Sequence, residues 1–566
     1  MTALTRWASA ALALAVTAPL MGPGYLLIRD AVSTPRSYLS DGAIGLGEAA
    51  PRAVPQDFAV ASLSAVVDGG IVVKTLLIAG LLLAGWGAGR LAGALLPEAG
   101  TPGQLVAATV AVWNPFVAER LLQGHWSLLL AYGCLPWVAA AVIGLRTQHQ
   151  GHPTAWAGLV FWIALAGLTP TGAILAAVVA VVCVATPGDG LSRWRCAAGI
   201  LACAVITSAP WVSASLLGSG LAGSQTDGLA AFAPRAEPLL GTLGSLAGLG
   251  GIWNSEAVPH SRATGLALVG TALLLTVVAC GIPAVLRRRT GEPLLALAAF
   301  SILLPAAMAT GPGLAALRVA VDAAPGLAVL RDGQKWVACA MPGYAIAAAG
   351  AILLLRRWLR PGLAALLCCA AVVAALPDLA WGVGGQVGPV RYPPGWQAAA
   401  DRINADPDTV AVLPADSMRQ FGWAGTAPVL DPAPRWVRAE VLATGDLLVA
   451  GRTVPGEGER ARTVQRLLEA GAGPDALARA GVGWLLVERG TPGTVGSADR
   501  TLDQLTPSYS DDDIALYRIG GTSPVAAHRN TVIAAHLLWA AMLAAGAVGM
   551  AVTSVRRAGL RRRAQS

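Results

Sequence analysis

Ionisable residues lie directly beside apolar segments at three places, and the first of these follows the first apolar segment. It contains Arg29 and Asp30, and Asp41 lies eleven residues further on. A general base needs a fixed position beside the reacting hydroxyl and a tuned pKa, and a carboxylate at the end of a membrane-anchored segment has the fixed position. The alternative interpretation is an ordinary charged loop in water, and the residue types leave both open.

The second place is the segment NPFVAERLLQGHW, Asn114–Trp126, between two apolar stretches. Ionisable groups at the end of a membrane span are costly unless they are paired or in contact with water. Glu119, Arg120 and His125 are therefore candidate substrate-binding residues. The tryptophans of this region are explained by an interfacial aromatic belt.

The third place is the segment LRDGQKW, Leu330–Trp336. Arg331 and Lys335 are four residues apart, so on a helix they would share a face. Together they could hold a phosphate or diphosphate, with paired donors from the arginine, and Asp332 could balance their charge or bind a metal. The alternative is a simple charged helix start.

The composition predicts a polytopic α-helical membrane protein. Of the 566 residues, 55% are hydrophobic and 13% are charged, whereas about a quarter of a soluble domain is charged. A span needs about 20 mostly apolar residues, and about twelve segments qualify. They lie near residues 7–28, 71–96, 103–118, 127–145, 154–168, 170–186, 196–217, 263–286, 293–309, 336–355, 361–382 and 531–555.

The arginines predict the orientation of these spans. The net charge is +8, and the arginines concentrate in every second loop, which places both termini on the cytoplasmic side. This distribution explains the basic charge by membrane topology, and no nucleic-acid partner is expected. The eight cysteines lie in or beside the spans without zinc-ligand spacing, so neither a disulfide nor a metal site of cysteines is expected.

Three regions are predicted along the chain. Residues 1–382 form the transmembrane bundle, with outer loops at 29–70 and 218–262. Residues 383–529 form an extracytoplasmic α/β domain, because buried strands at 409–414, 481–490 and 514–521 alternate with helices at 394–404 and 459–473. Residues 530–566 contain the final transmembrane helix and a basic cytoplasmic tail.

The sequence resembles the GT-C superfamily of integral membrane glycosyltransferases, and also YfhO-like membrane proteins. The likeness covers most of the chain and is mainly architectural: a first helix that starts inside, a long acidic first outer loop, many spans and a terminal α/β domain. Its local features are RDAVSTPRSYLSDG, WNPFVAERLLQGHW and LRDGQKW. It implies an acidic residue in the first outer loop, matched first by Asp30 and next by Asp41.

This resemblance implies a transferase of the cell membrane that moves a sugar from a polyprenyl-phosphate donor to an envelope glycan or lipid on the outer face. Asp30 would act as general base or as a ligand of a divalent cation, Mg²⁺ or Mn²⁺. Arg331 and Lys335, with Arg29, would stabilise the departing phosphate. The paired acids or D-x-D of the family are missing, because Asp30 is followed by Ala31 and Asp41 by Gly42. A flippase for lipid-linked glycans and a non-catalytic assembly protein are the alternatives.

Overall fold

A computed structural model describes residues 3–48, 50–148, 152–218, 228–449, 451–522 and 526–563 of the chain. Part of the predicted second outer loop, 219–227, lies outside the described residues. Helices form most of the structure, and they follow the long apolar runs of the sequence. The first sixteen are α1 Ala3–Thr17, α2 Gln56–Leu63, α3 Gly69–Leu95, α4 Gly100–Val112, α5 Pro115–Leu122, α6 Trp126–Thr147, α7 His152–Ala166, α8 Pro170–Cys183, α9 Arg193–Leu217, α10 Gly241–Ala247, α11 Leu266–Leu286, α12 Glu292–Met308, α13 Gly311–Ala323, α14 Ala340–Leu355, α15 Pro361–Ala374 and α16 Ala380–Gly384.

Each of the twelve predicted spans contains a helix, but the count of twelve membrane spans is not confirmed. Among the described residues, eight helical segments are long and apolar enough to cross a membrane. Two further segments are bent pairs, α12 with α13 at 93° and α15 with the segment Pro377–Gly384 at 74°. The helices α7 and α8 are shorter apolar helices. The chain is therefore a polytopic membrane protein with eight to ten candidate spans by length and composition.

The first predicted span ends earlier than expected. The helix α1 continues as a 3₁₀ turn to Met21, and the chain then becomes the strand β1, Tyr25–Ile28. Gly24 has a φ of +123°, which a side chain would disfavour. Lys74 Nζ donates to the carbonyl oxygens of Gly22 and Gly24 at 3.0 and 2.9 Å. This lysine satisfies backbone groups that the helix no longer pairs.

Close packing of small residues holds the bundle together. The helix α3 packs against α6 and α4, and α11 packs against α14. A Cβ added to Gly133 of α6 would lie 2.1 Å from the carbonyl oxygen of Gly80 in α3. Such contacts between small residues let two membrane helices approach closely. They keep α6, which begins beside His125, rigidly placed.

A small sheet connects the first loop to the chain that follows α16. The strand β1 pairs with β2, Ala31–Val32, and with β3, Pro389–Val390, both antiparallel. Ile28 is opposite Ala31, so β1 and β2 form a hairpin whose two-residue turn is Arg29-Asp30. The predicted catalytic acid therefore lies at a hairpin tip.

An α/β unit follows β3. Its strands are β4 Val410–Leu413, β5 Met418–Arg419, β6 Val429–Leu430, β7 Leu447–Val449, β8 Arg452–Val454, β9 Trp484–Glu488, β10 Pro507–Ser510 and β11 Ile514–Arg518, and its helices are α17 Pro394–Ala405, α18 Ala433–Trp436, α19 Glu459–Glu469, α20 Pro474–Arg479 and α21 Asp499–Leu502. The main sheet has the order β10-β11-β9-β4, in which β4 and β9 are parallel and the other pairs are antiparallel. The three predicted buried strands are confirmed as β4, β9 and β11, and the two predicted helices as α17 and α19.

The last helix, α22 Arg529–Arg563, returns to the bundle and packs against α7 and α9. Trp539 Nε1 donates to the carbonyl oxygen of Ala164 in α7 at 2.8 Å. The α/β unit is thus attached to the bundle through α16 at one end and α22 at the other.

Candidate active site

The hairpin turn that carries Asp30 is seated on the turn between α5 and α6. The backbone N–H of Asp30 donates to the carbonyl oxygen of Gln123 at 3.1 Å. Gly124 has a φ of +81°, and a Cβ there would lie 2.4 Å from both Ala31 N and Ile28 O. Only glycine fits between the two turns without displacing one of them. Gly124 therefore lets the hairpin turn lie directly against the start of α6 and so determines the distance of Asp30 from this helix.

Arg29 holds the hairpin from its other side. Its φ is +46°, a strained conformation for a residue with a side chain. Its Nη1 donates to the carbonyl oxygen of Leu122 at 2.7 Å, and Nη2 donates to that of Glu256 at 2.7 Å. The side chain was predicted to bind substrate, but the structure buries it and directs both terminal nitrogens to backbone carbonyls. Arg29 therefore holds the hairpin turn in position.

Asp30 is the exposed carboxylate of the site. Its side chain is 36% exposed. Its Oδ2 accepts hydrogen bonds from His125 Nε2 at 2.8 Å and from Gln123 Nε2 at 3.2 Å. Among the described residues, Oδ1 of Asp30 has no hydrogen-bond partner. One carboxylate oxygen is therefore anchored, and the other is available to a hydroxyl group.

The hydrogen bonds of His125 determine which of its ring nitrogens carries the proton. Arg120 Nη1 donates to Nδ1 at 3.1 Å, so Nε2 carries the hydrogen that is donated to Asp30. Burial lowers the pKa of His125 below its ordinary value, although the hydrogen bond to Asp30 opposes this effect. The ring is therefore neutral near pH 7.

The carboxylate of Asp30 is stabilised by the same contacts. Burial raises its pKa, but the hydrogen bonds from His125 and Gln123 and the charge of Lys335 outweigh burial, and the pKa lies below the ordinary value. Asp30 is therefore ionised at neutral pH, and Lys335 lies close enough to influence it.

A buried ion pair brings the second and third segments together. Arg120 is fully buried and binds Asp332 through two parallel hydrogen bonds, Nη1 to Oδ2 at 2.8 Å and Nη2 to Oδ1 at 2.9 Å. Burial opposes ionisation of Asp332, but the charges of Arg120 and Lys335 hold its pKa well below the usual range. The two segments are far apart in sequence and meet here through a bidentate pair.

Lys335 supplies the accessible cation. Its Nζ lies 3.6 Å from Oδ2 of Asp332, and its side chain is 25% exposed. In the described part of the chain, Nζ has no polar partner besides Asp332. An ammonium group has three hydrogen-bond donors. Asp332 therefore orients Lys335 and leaves donors for a ligand.

Glu119 lies beneath the site and has no exposed surface. Its carboxylate accepts from the backbone N–H groups of Gly251 and Ile252 at 3.2 and 3.0 Å, and from Gln334 Nε2 at 3.1 Å. It was predicted to bind substrate, but the structure gives it the role of connecting α5 to the loop before α11 and to the segment before α14.

The prediction that Arg331 and Lys335 share a helix face is wrong. Asp332 has φ −86° and ψ 83°, so the backbone breaks between the 3₁₀ turns Pro325–Leu330 and Gly333–Cys339. The guanidinium of Arg331 lies 4.3 Å from the ring centroid of Phe232. Burial, followed by the charge of Arg52, lowers the pKa of Arg331 to about 10. Lys335 faces Asp332, and Arg331 faces an aromatic ring.

Asp41 lies elsewhere. It forms an ion pair with Arg529 at the start of α22 and accepts from the backbone N–H of Ala526 at 3.2 Å. No contact between described residues connects it to Asp30. The structure therefore brings Asp30, Arg120, His125, Asp332 and Lys335 together and leaves Asp41 apart.

A divalent cation does not fit the residues around Asp30. Its neighbours are a neutral imidazole, the Gln123 amide and the cation Lys335. Mg²⁺ and Mn²⁺ prefer carboxylate and carbonyl oxygens, and a nearby ammonium group would repel them. The described residues contain no group of three acidic, histidine or cysteine side chains that could hold a metal.

Two amides complete the network, and neither was predicted as a site residue. Gln334 accepts from Arg120 Nη2 and donates to Glu119. Asn254 Nδ2 donates to Oε1 of Gln123 at 2.8 Å, which orients the amide that binds Asp30. Gln334 lies within the conspicuous LRDGQKW segment, whereas nothing in the local sequence marks Asn254.

Comparison with known proteins gives the fold. No protein-family model matches the chain, and no curated protein matches it. Two solved cryo-EM structures of a variant of AftD, an arabinofuranosyltransferase from mycobacteria, are similar to it with TM-scores of 0.57 and 0.55 and sequence identities of 18% and 15%. Each alignment covers 92% of this chain.

The chain therefore shares its fold with these arabinofuranosyltransferase structures. The resemblance drawn from the sequence is confirmed at this level. The chain spans 42% of the length of the two matched chains. The likeness extends over most of the chain and concerns the fold.

Proposed function

We propose that this protein is a membrane glycosyltransferase that moves a sugar from a polyprenyl-phosphate-linked donor to a hydroxyl group of a cell-envelope glycan or lipid on the outer face of the membrane. The fold supports a membrane glycosyltransferase. The observation that carries the proposal is one connected network of polar contacts that joins an accessible carboxylate, Asp30, to an accessible cation, Lys335.

Asp30 is the general base of this proposal. The bond from the sugar carbon to the phosphate oxygen breaks, a bond to the acceptor oxygen forms, and the acceptor proton passes to Oδ1 of Asp30. The hydrogen bonds at Oδ2 hold the carboxylate in place, and proton transfer to a positioned base contributes about 10²- to 10⁴-fold in rate. His125 and Gln123 act as positioning residues.

Lys335 is the electrostatic partner of the leaving group. Negative charge develops on the phosphate oxygen as the bond to the sugar breaks, and a fixed cation at that point lowers the barrier. Arg120 does not contact the substrate, because it is fully buried and its two terminal nitrogens bind other side chains of the site, namely Asp332, His125 and Gln334. Its role is to keep Asp332 ionised, and Asp332 in turn orients Lys335.

The proposal is tested by the substitution Asp30→Asn in full-length protein reconstituted with a labelled polyprenyl-phosphate sugar and an envelope acceptor fraction. We expect transfer to fall by about 10²-fold or more, because the amide cannot accept the proton. The matched control is Asp322→Asn, which removes an exposed carboxylate on α13. Full transfer by Asp30→Asn protein that unfolds at the wild-type temperature would remove Asp30 from the mechanism.

The same proteoliposomes separate transfer from lipid flipping. A transferase converts the labelled lipid-linked sugar into a labelled acceptor, whereas a flippase moves the intact lipid between leaflets. Movement of the lipid without any labelled product would favour the flippase alternative.

A further inference from the structure

A cavity whose lining does not include Asp30 lies between the first loop, the α/β unit and the start of α22. Its volume is about 530 Å³, within the range of about 300–1,000 Å³ for small-molecule sites. Three separate parts of the chain line it, represented by Tyr38, Arg438 and Arg529. The cavity exists only where the loop and the α/β unit are packed together.

The acidic residues of this cavity have basic partners. Asp41 pairs with Arg529. Asp408 accepts from Arg518 Nη2 at 2.6 Å, and the same nitrogen also pairs with Asp406. Glu440, half-buried like the others, accepts from Arg460 Nη1 at 3.2 Å. Each carboxylate of the lining is therefore held by an arginine.

Two further arginines in the lining have no such partner. Arg36 Nη1 donates to the carbonyl oxygen of Ala61 at 2.7 Å and to Ser64 Oγ at 2.8 Å, which are neutral acceptors. The guanidinium of Arg438 is exposed and stacks on Tyr38. Among the described residues, neither guanidinium forms an ion pair with a carboxylate. The lining therefore contains three arginines and three carboxylates, and two of these arginines have no carboxylate partner among the described residues.

Both of these guanidinium groups lie on one aromatic ring. Each is 5.0 Å from the centroid of Tyr38. Their charges are therefore no farther apart than about 10 Å, the Debye length at 0.1 M salt, and they repel each other. An anion bound between them would relieve this repulsion and receive charge-assisted hydrogen bonds.

We infer that this cavity binds an anionic saccharide, with its carboxylate or phosphate group held by Arg36 and Arg438 and its sugar hydroxyls facing the polar groups of the wall. Guanidinium groups match carboxylate and phosphate oxygens through paired donors. The inference rests on the proposed function and extends it, because it names the chemical class of acceptor that the α/β unit would present to Asp30.

The experiment measures binding separately from transfer. Full-length protein in nanodiscs is titrated with trigalacturonate, with the neutral trisaccharide maltotriose and with glucose 1-phosphate. We expect an anionic probe to bind at least about tenfold more tightly than maltotriose. Tighter binding of trigalacturonate assigns the carboxylate as the recognised group, and tighter binding of glucose 1-phosphate assigns the phosphate.

The test variant is Arg438→Gln, whose side chain is exposed and can change without unfolding the protein. We expect it to weaken binding of the anionic probe by about tenfold and to leave maltotriose binding unchanged. The control is Arg402→Gln, because Arg402 also stacks on an aromatic ring, 4.6 Å from the centroid of Tyr509, outside the cavity lining. Equal binding of charged and neutral probes, or full affinity in Arg438→Gln, would overturn the inference.

The inference and the proposed function fail in different ways. Asp30→Asn should lose transfer and keep anionic-saccharide binding. Transfer by the wild-type protein without any preference for an anionic probe would contradict the inference and leave the proposed function intact. Probe binding that depends on Arg438, in a protein without transfer activity, would support the inference and contradict the proposed function.

Discussion

At the scale of single residues, the site depends on a relay of contacts from Arg120 to Asp30. Arg120 donates to Nδ1 of His125, and Nε2 of the same ring donates to Asp30. A guanidinium group donates hydrogen bonds and accepts none, so Arg120 favours the ring tautomer whose hydrogen lies on Nε2 and supports the carboxylate. Protonation of His125 would place a second donor against Arg120.

This relay predicts a pH dependence. The pKa of His125 in the folded protein lies below its ordinary value of 6.5 because of burial. Folding therefore disfavours the protonated ring, so both the network and its contribution to stability are lost as pH falls through this pKa. We expect kcat/KM for transfer to be constant near pH 7 and to decline on the acid side below pH 6.5.

The variant His125→Gln identifies the titrating group. Its amide can donate to Asp30 as Nε2 does and has no proton to gain. The acid limb should therefore move to lower pH, where Asp30 itself is protonated. A pH profile of kcat/KM measures this shift, and an acid limb identical to that of the wild-type protein would show that another group titrates.

At the scale of elements, the hairpin of β1 and β2 is the part of the site that the sequence did not predict. The segment YLLI is apolar and continues the first span by composition, so a helix was expected to reach residue 28. The partner strand β3 lies more than 350 residues away in sequence. A local pattern contains no information about so distant a partner, and tertiary pairing decides the conformation.

The residue types at the site were more predictable than their geometry. Asp30, Arg120 and Lys335 stand out because charge beside an apolar segment requires a partner or a function. Their meeting depends on the bidentate pair between Arg120 and Asp332, which no spacing reveals. The helical spacing assumed for Arg331 and Lys335 failed because the chain forms 3₁₀ turns, in which residues three apart align.

The contact between the hairpin and the turn before α6 predicts the effect of Gly124→Ala. The new Cβ would lie 2.4 Å from Ala31 N and Ile28 O, so the hairpin must shift and carry Asp30 away from His125. The control Gly385→Ala has a similar φ of +86° with nothing within 4 Å of the new Cβ. Both variants should lose about 1–3 kcal/mol from left-handed backbone strain.

Only Gly124→Ala should also lose transfer. A displacement of about 1 Å at a catalytic group can cost about 10²-fold in rate. Initial rates of transfer, together with thermal unfolding of both proteins, measure the two effects. Comparable activity of the two alanine variants would show that the hairpin does not need this contact.

At the scale of the whole molecule, the hairpin of β1 and β2 packs against the α/β unit as well as against the bundle. Leu27 and Val32 of the hairpin pack in the same apolar cluster as Trp396 and Trp436 of the α/β unit. Leu430 N–H donates to the carbonyl oxygen of Arg29 at 2.8 Å. The hairpin that carries the Arg29-Asp30 turn is therefore part of both units, and the α/β unit supports the position of Asp30 as well as lining the cavity beside Tyr38.

This shared cluster predicts different outcomes for two core truncations in the α/β unit. Trp396→Ala empties space beneath the hairpin, whereas Leu477→Ala empties a separate cluster on the other side of the main sheet that includes Leu413 and Leu485. Such truncations cost about 3–5 and 2–5 kcal/mol. Both should lower the unfolding temperature, but only Trp396→Ala should reduce transfer at a temperature where each protein remains folded.

Transfer assays at 20 °C and limited proteolysis of the hairpin provide the comparison. In Trp396→Ala the first loop should become sensitive to protease together with the loss of activity, because the hairpin loses its packing partner while α1 and α3 stay in the bundle. In Leu477→Ala the loop should stay protected. Equal losses of activity in the two variants would mean that the α/β unit acts on the site through its overall stability rather than through the hairpin.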